Sequence, residues 1–110
     1  MSVEIDIKNY SHLTREVFDA AVKRGLEACG MVAETYAKQG APVDTGRLRN
    51  SIAHAVVESE KAAYIGTNVE YAPFVEFGHH SYAGAHFLRD AAANHSEEYK
   101  AIIEESLKNA

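Results

Sequence analysis

Val3, Ile5 and Ile7 alternate with Glu4, Asp6 and Lys8, and this period of two predicts a half-buried strand over residues 3–8. A helical period takes over from residue 11 to about residue 39. Phe18, Val22, Gly25, Cys29, Val32 and Tyr36 recur on one side, widened by Leu13, Val17, Ala21 and Ala28. Glu16, Lys23, Glu27, Glu34 and Lys38 form a charged arc opposite, while Asn9 and Ser11 offer caps at the start. Gly40 stops this helix, and Pro42 keeps it from resuming.

Two strand-like runs follow, "SIAHAVVES" and "AAYIGTN", with a hairpin turn at Glu60 and Lys61. "EYAPFVEFG" reads as a short helix with Pro73 in its first turn and Gly78 at its end. "HHSYAGAH" has loop composition. From His86 to about Leu107 a last helix places Leu88, Ala91, Ala92, His95, Tyr99, Ile102 and Ile103 on one face. The expected fold is α+β: a small antiparallel sheet packed against a long N-terminal helix and a C-terminal helix, plus one short helix.

With 110 residues, 46% of them hydrophobic and 25% charged, the chain is expected to be a single domain, 1–110, with a modest core. Its net charge of −5 argues against broad nucleic-acid binding. The start has no apolar run of signal-peptide length, and no stretch of about 18 apolar residues occurs. A soluble protein made in the cytoplasm is the expectation.

"APVDTGRLRNS" raises the one enzymatic alternative, because Asp44-Thr45-Gly46 is also the triplet of a homodimeric aspartic protease. Such an enzyme needs two carboxylates about 3 Å apart sharing a proton. Arg47 and Arg49 immediately after the triplet would oppose that state by holding Asp44 ionised. Asp44 and Thr45 are equally natural turn and cap residues, with Pro42 fixing the approach and Leu48 and Ile52 pointing inward. The turn is the better reading.

Other chemistry is thin. His79, His80 and His86 share a loop, but no Cys, Asp or Glu completes a metal site within it. His95 belongs to an apolar stripe and reads as a partly buried structural histidine. Ser51, Ser59, Ser81 and Ser96 lie in no nucleophile motif, and Cys29, the only cysteine, reads as packed and inert. No catalytic residue, cofactor or metal is expected. What remains is the apolar surplus of "YAPFVEF", where Tyr71, Phe74, Val75 and Phe77 crowd one element. These residues either complete one core or form an interface, whose composition they match.

The stretches "APVDTGRLRNSI", "IGTNVEYAPFVEFG" and "HFLRDAA", in this order after a long helix, resemble the tail-completion or head–tail joining proteins of long-tailed bacteriophages. That family is named after the tenth gene product of a lambda-like phage, and the resemblance spans roughly residues 10 to 100. The family commonly carries Pro on both sides of Phe-Leu-Arg, where this chain has His86 and Asp90.

The resemblance implies a non-enzymatic virion protein, built in the host bacterial cytoplasm or encoded by a prophage. It would oligomerise as a ring, often six-fold, at the neck between portal and tail tube. Its partners would be copies of itself, connector or head-completion proteins, and tail-tube or tail-terminator proteins, with no membrane involved. DNA would pass through the lumen without specific binding, as an acidic wall would allow. Carried onto this sequence, Asp44, Gly46, Arg47 and Leu48 form the turn into the sheet. Tyr71, Pro73, Phe74, Glu76, Phe77 and Gly78 form the short helix, and Phe87, Leu88 and Arg89 open the closing helix, all in structural or interface roles.

Overall fold

The computed structural model describes residues 7–78 and 81–110. It is α+β, organised along one long helix, α1 (Arg15–Gly40). Thr14, rather than Asn9 or Ser11, caps α1, its hydroxyl accepting from the Val17 N–H at 3.2 Å. Glu16 in the first turn and Lys38 in the last complement the helix dipole. The predicted strand at 3–8 falls outside the described residues as far as Asp6, and Ile7–Tyr10 form a 3-10 turn in place of its end.

The buried stripe of α1 is Ala21, Gly25, Leu26, Cys29, Gly30, Ala33 and Ala37. The larger side chains Phe18, Val22, Val32 and Tyr36 flank it, half-buried. Small residues in the centre let neighbours approach closely. A methyl group on Gly25 would stand 3.2 Å from the Ile103 backbone, and one on Gly30 only 2.6 Å from the His54 ring.

After α1 comes a five-residue helix, α2 (Arg47–Ser51), where strand had been expected from Ser51 onward. The hairpin β1 (Ala53–Val57) and β2 (Ala62–Gly66) follows, antiparallel, with His54 opposite Ile65 and Val56 opposite Ala63. Its turn is a 3-10 stretch, Glu58–Glu60, closed by Lys61 at φ 51°. Among the described residues the sheet has these two strands. Then come α3 (Ala72–Phe77), α4 (Phe87–Ala93) and α5 (Ser96–Lys108).

α4 and α5 run back along α1. Phe87 packs at Gly40, Tyr99 meets Cys29, Ile103 meets Gly25, and the Ser106 hydroxyl donates to the Ala21 carbonyl at 2.6 Å. The single closing helix expected from His86 to about Leu107 is broken at Asn94 and His95. The Tyr99 hydroxyl donates to the Ala91 carbonyl at 2.5 Å, the acceptor that the His95 N–H would use in an unbroken helix. Ala92, expected on the inner face, is exposed.

The core is strung out along α1 in three clusters. One gathers Ala37, Ala41, Leu48, Ile52, Val69, Ala72, Phe87 and Ala91 at the C-terminal end of α1. A middle one holds Cys29, Ala33 and Tyr99, and the last joins Tyr10, Ala21 and Leu107. The molecule measures 53 × 20 × 20 Å with a radius of gyration of 16.0 Å. A compact chain of this length would have about 13 Å.

Candidate assembly surface

The turn that spells Asp44-Thr45-Gly46 feeds α2. Gly46 takes φ 88°, a left-handed conformation, and the Thr45 hydroxyl accepts from the Arg47 N–H at 3.3 Å. Asp44 is exposed. Arg47 is engaged elsewhere, its guanidinium bonding both oxygens of Glu70 at 3.0 and 2.8 Å and lying 5.5 Å from the Tyr71 ring centre. That two-point bond holds the Glu70 carboxyl below its usual range and the guanidinium above its own. The expectation that Arg47 would act on Asp44 is corrected accordingly: its partner is Glu70, which ties α2 to the approach of α3. Arg49 donates to the Lys38 carbonyl at 3.1 Å, covering a free acceptor at the end of α1. Leu48 is core, at 4% exposure.

The short helix α3 is amphipathic in an unusual way, because its buried face carries a carboxylate. Glu76 is 4% exposed and accepts the backbone N–H groups of Leu88 at 2.8 Å and Arg89 at 3.2 Å. These are free donors in the first turn of α4, whose cap residue His86 supplies no side-chain bond. A carboxylate at that end also matches the helix dipole. In return, the last carbonyls of α3 accept from the loop: Ala85 N–H to Val75 at 2.7 Å and His86 N–H to Glu76 at 3.1 Å. Gly78 makes the tight exit possible at φ 92°, and a methyl group there would come within 2.3 Å of the Tyr82 carbonyl.

His86 stands at φ 52° with its N–H committed. A Pro can offer neither that angle nor that donor. Phe87, next in sequence, is 2% exposed, Leu88 is half-buried, and the exposed Arg89 donates to Asp90 at 3.2 Å.

The outer face of α3 is apolar and open. Phe77 is 73% exposed and Phe74 53%, with Pro73 also exposed, while Tyr71 and Val75 pack against the core. "YAPFVEF" therefore divides between the two readings left open by sequence: part core, part surface. Tyr82 and Val43 are further exposed apolar side chains.

The remaining candidates have structural surroundings. Burial, and then the Glu98 charge, pushes the Cys29 thiol up to about 11, while its S–H points at the Tyr99 carbonyl at 3.4 Å. Such a thiol is a poor nucleophile. His95 lies flat on Tyr36, ring centres 3.6 Å apart, with Tyr99 edge-on. The Ser51 hydroxyl is bonded to the Leu48 carbonyl and to Thr67. His79 and His80 lie outside the described residues, and among the described ones no group of three or more metal-binding side chains occurs. No helix among them is long and apolar enough to cross a membrane.

Sequence reasoning missed two features. It placed Glu27 and Glu34 in a charged arc with no partner named, whereas His54 reaches across from β1 to both, Nδ1 to Glu34 at 2.9 Å and Nε2 to Glu27 at 3.3 Å. The Glu34 hydrogen bond first, and Glu27 second, raises the imidazole pKa. It also gave Glu76 only a general place in a motif; the one available signal was a lone charge inside an aromatic-rich helix.

Comparison with known proteins matches residues 7–78 to a family model described as "Bacteriophage HK97-gp10, putative tail-component". No curated protein and no solved structure matches the chain. The matched span contains the Asp-Thr-Gly-Arg-Leu turn and the whole of α3, and it ends at Gly78. The chain belongs to this HK97-gp10-like family of bacteriophage tail components.

Proposed function

We propose that the chain is a non-enzymatic structural subunit of the phage neck, a tail-completion or head–tail joining protein that self-associates into a ring. It acts by fit. One copy docks the next, and the ring docks connector or head-completion proteins on one side and tail-tube or tail-terminator proteins on the other. The observation that carries this reading is the construction of α3 inside the family's matched span. A buried carboxylate and a glycine exit lock the helix in place, and the locked helix holds Phe77 out in water at 73% exposure. Large exposed aromatics on a rigid mount are the usual anchors of protein interfaces.

The same geometry favours a structural role over the Asp44 protease. Asp44 is an exposed turn residue, outside the desolvated setting in which two carboxylates share a proton. The net charge of −5 suits a subunit whose ring lets DNA slide past without holding it. Inactivating the gene in its phage, with complementation in trans, tests the proposal. Electron micrographs should show filled heads and complete tails unjoined, and complementation should restore joined particles. Joined, infectious particles at wild-type frequency without the protein would overturn it.

A further inference from the structure

We infer that the contact between neighbouring copies is a knob in a groove: Phe77 of one chain seats between α1, β2 and α5 of the next. This rests on the ring reading above and names its interface.

The groove holds about 330 Å³ and is walled by Leu26, Ala33, Ala63, Ile65, Tyr99 and Ile103. Its polar groups, Lys61 and Ser96, do not make the convergent set that orients a small molecule, and its volume is at the lower end of ligand sites. An aromatic side chain, burying about 150–250 Å² of surface, suits such a space better. The groove lies beside the middle of α1, whereas Phe77 belongs to α3 near the C-terminal end of α1.

A second copy is the occupant that the surface area supports. The chain exposes 7193 Å², against about 6,000 Å² for a compact monomer of its mass. The surplus of about 1,200 Å² compares with the roughly 800 Å² per partner that a standard interface covers. Phe77 has the greatest exposure of the large hydrophobic side chains among the described residues, and its helix is already fixed by Glu76 and Gly78. Little ordering entropy is then left to lose on docking. Knob and groove occupy different surfaces of one chain, so each copy can give to one neighbour and receive from another. A head-to-tail contact of this kind closes into a ring when its rotation fits.

The test pairs sedimentation of the wild-type chain with cross-linking of a Pro73→Cys, Ala63→Cys double variant by a short bis-maleimide, Pro73 being exposed one helical turn from Phe77 so that the knob itself is kept. Each single variant controls for the buried Cys29. The expected result is self-association of the wild type at millimolar concentration and a cross-linked ladder running past the dimer, absent from both single variants. Phe77→Ser, with an unchanged circular dichroism melt, should weaken the association at least about tenfold. Association of the wild type without a ladder would overturn the knob-and-groove contact and leave the ring standing. A ladder ending at the dimer would keep the contact and remove the ring, and neither association nor ladder would overturn both.

Discussion

Where α1 ends, residues 41–52 and 67–91 meet through directed bonds: Arg47 to Glu70, Arg49 to the end of α1, Glu76 to the start of α4, and the loop N–H groups of Ala85 and His86 to the end of α3. Toward the start of α1 the molecule is held mainly by contact. Ala21 and Gly25 let α5 lie close, and Leu107 and Tyr10 close the end. In the first region Arg47, Arg49 and Glu76 each have a named partner, so their type and position are both fixed. In the second, a class of residue suffices, small or apolar at a helical spacing. The first region therefore spells recognisable words, and the second shows only a rhythm.

If that contrast is correct, the most damaging single change at the bonded end removes a bond without removing volume. Glu76→Leu leaves two N–H groups at the start of α4 without acceptors in a buried place. We expect a loss of about 3 kcal/mol in folding stability by urea unfolding. Glu76→Gln, which keeps one acceptor, should lose less. A Leu variant as stable as the wild type would mean that contact holds this end as well.

Between the two regions, the hairpin meets α1 through His54, seated over Gly30 between Glu34 and Glu27. Lys38 faces the same Glu34 at 3.2 Å. The folded His54 pKa is raised, so its contribution is complete below the unfolded value of about 6.5 and is lost as pH rises through the folded one. The Glu34 pKa is lowered, chiefly by the His54 hydrogen bond, so the contribution of Glu34 is lost as pH falls through its folded value. The seam is strongest between these limits. Wild type should exceed His54→Gln by about 1 kcal/mol near pH 6, with the gap closing toward pH 9. A gap that is constant with pH would reduce His54 to a packing residue.

The sequence made the rhythm legible. α1, the stop at Gly40, the inward Leu48 and Ile52, and the Pro73-led helix ending at Gly78 all follow from spacing and from local backbone rules. It did not reveal what depends on a distant atom. The break at Asn94–His95 arises because Tyr99, eight residues beyond Ala91, takes the carbonyl of Ala91; the apolar period itself runs through the break without a fault. His54 and its two glutamates are brought together across 20 and 27 residues, and no local pattern records the pairing. α2 was hidden by the strand-like run that begins at its last residue. For the candidate site, the motif showed which residues belonged together, but not that Glu76 would turn inward as a cap while Phe77 turned out.

Phe77 gives the mildest expected change and the sharpest use of the comparison. An aspartate at Phe74 or Phe77 would be ruinous if those rings were buried, but Phe77 is mostly in water in the single chain. Phe77→Ser should then alter folding stability by no more than about 0.5 kcal/mol, within the range of ordinary surface substitutions. Its neighbour Glu76, one residue away on the same short helix, should cost several times more. Urea unfolding of dilute Phe77→Ser protein beside the wild type measures the difference. A loss above about 2 kcal/mol would show that Phe77 completes the core of its own chain and is not held out for another. A small loss joined to weakened association would show a helix whose inner face is spent on folding and whose outer face is kept for assembly.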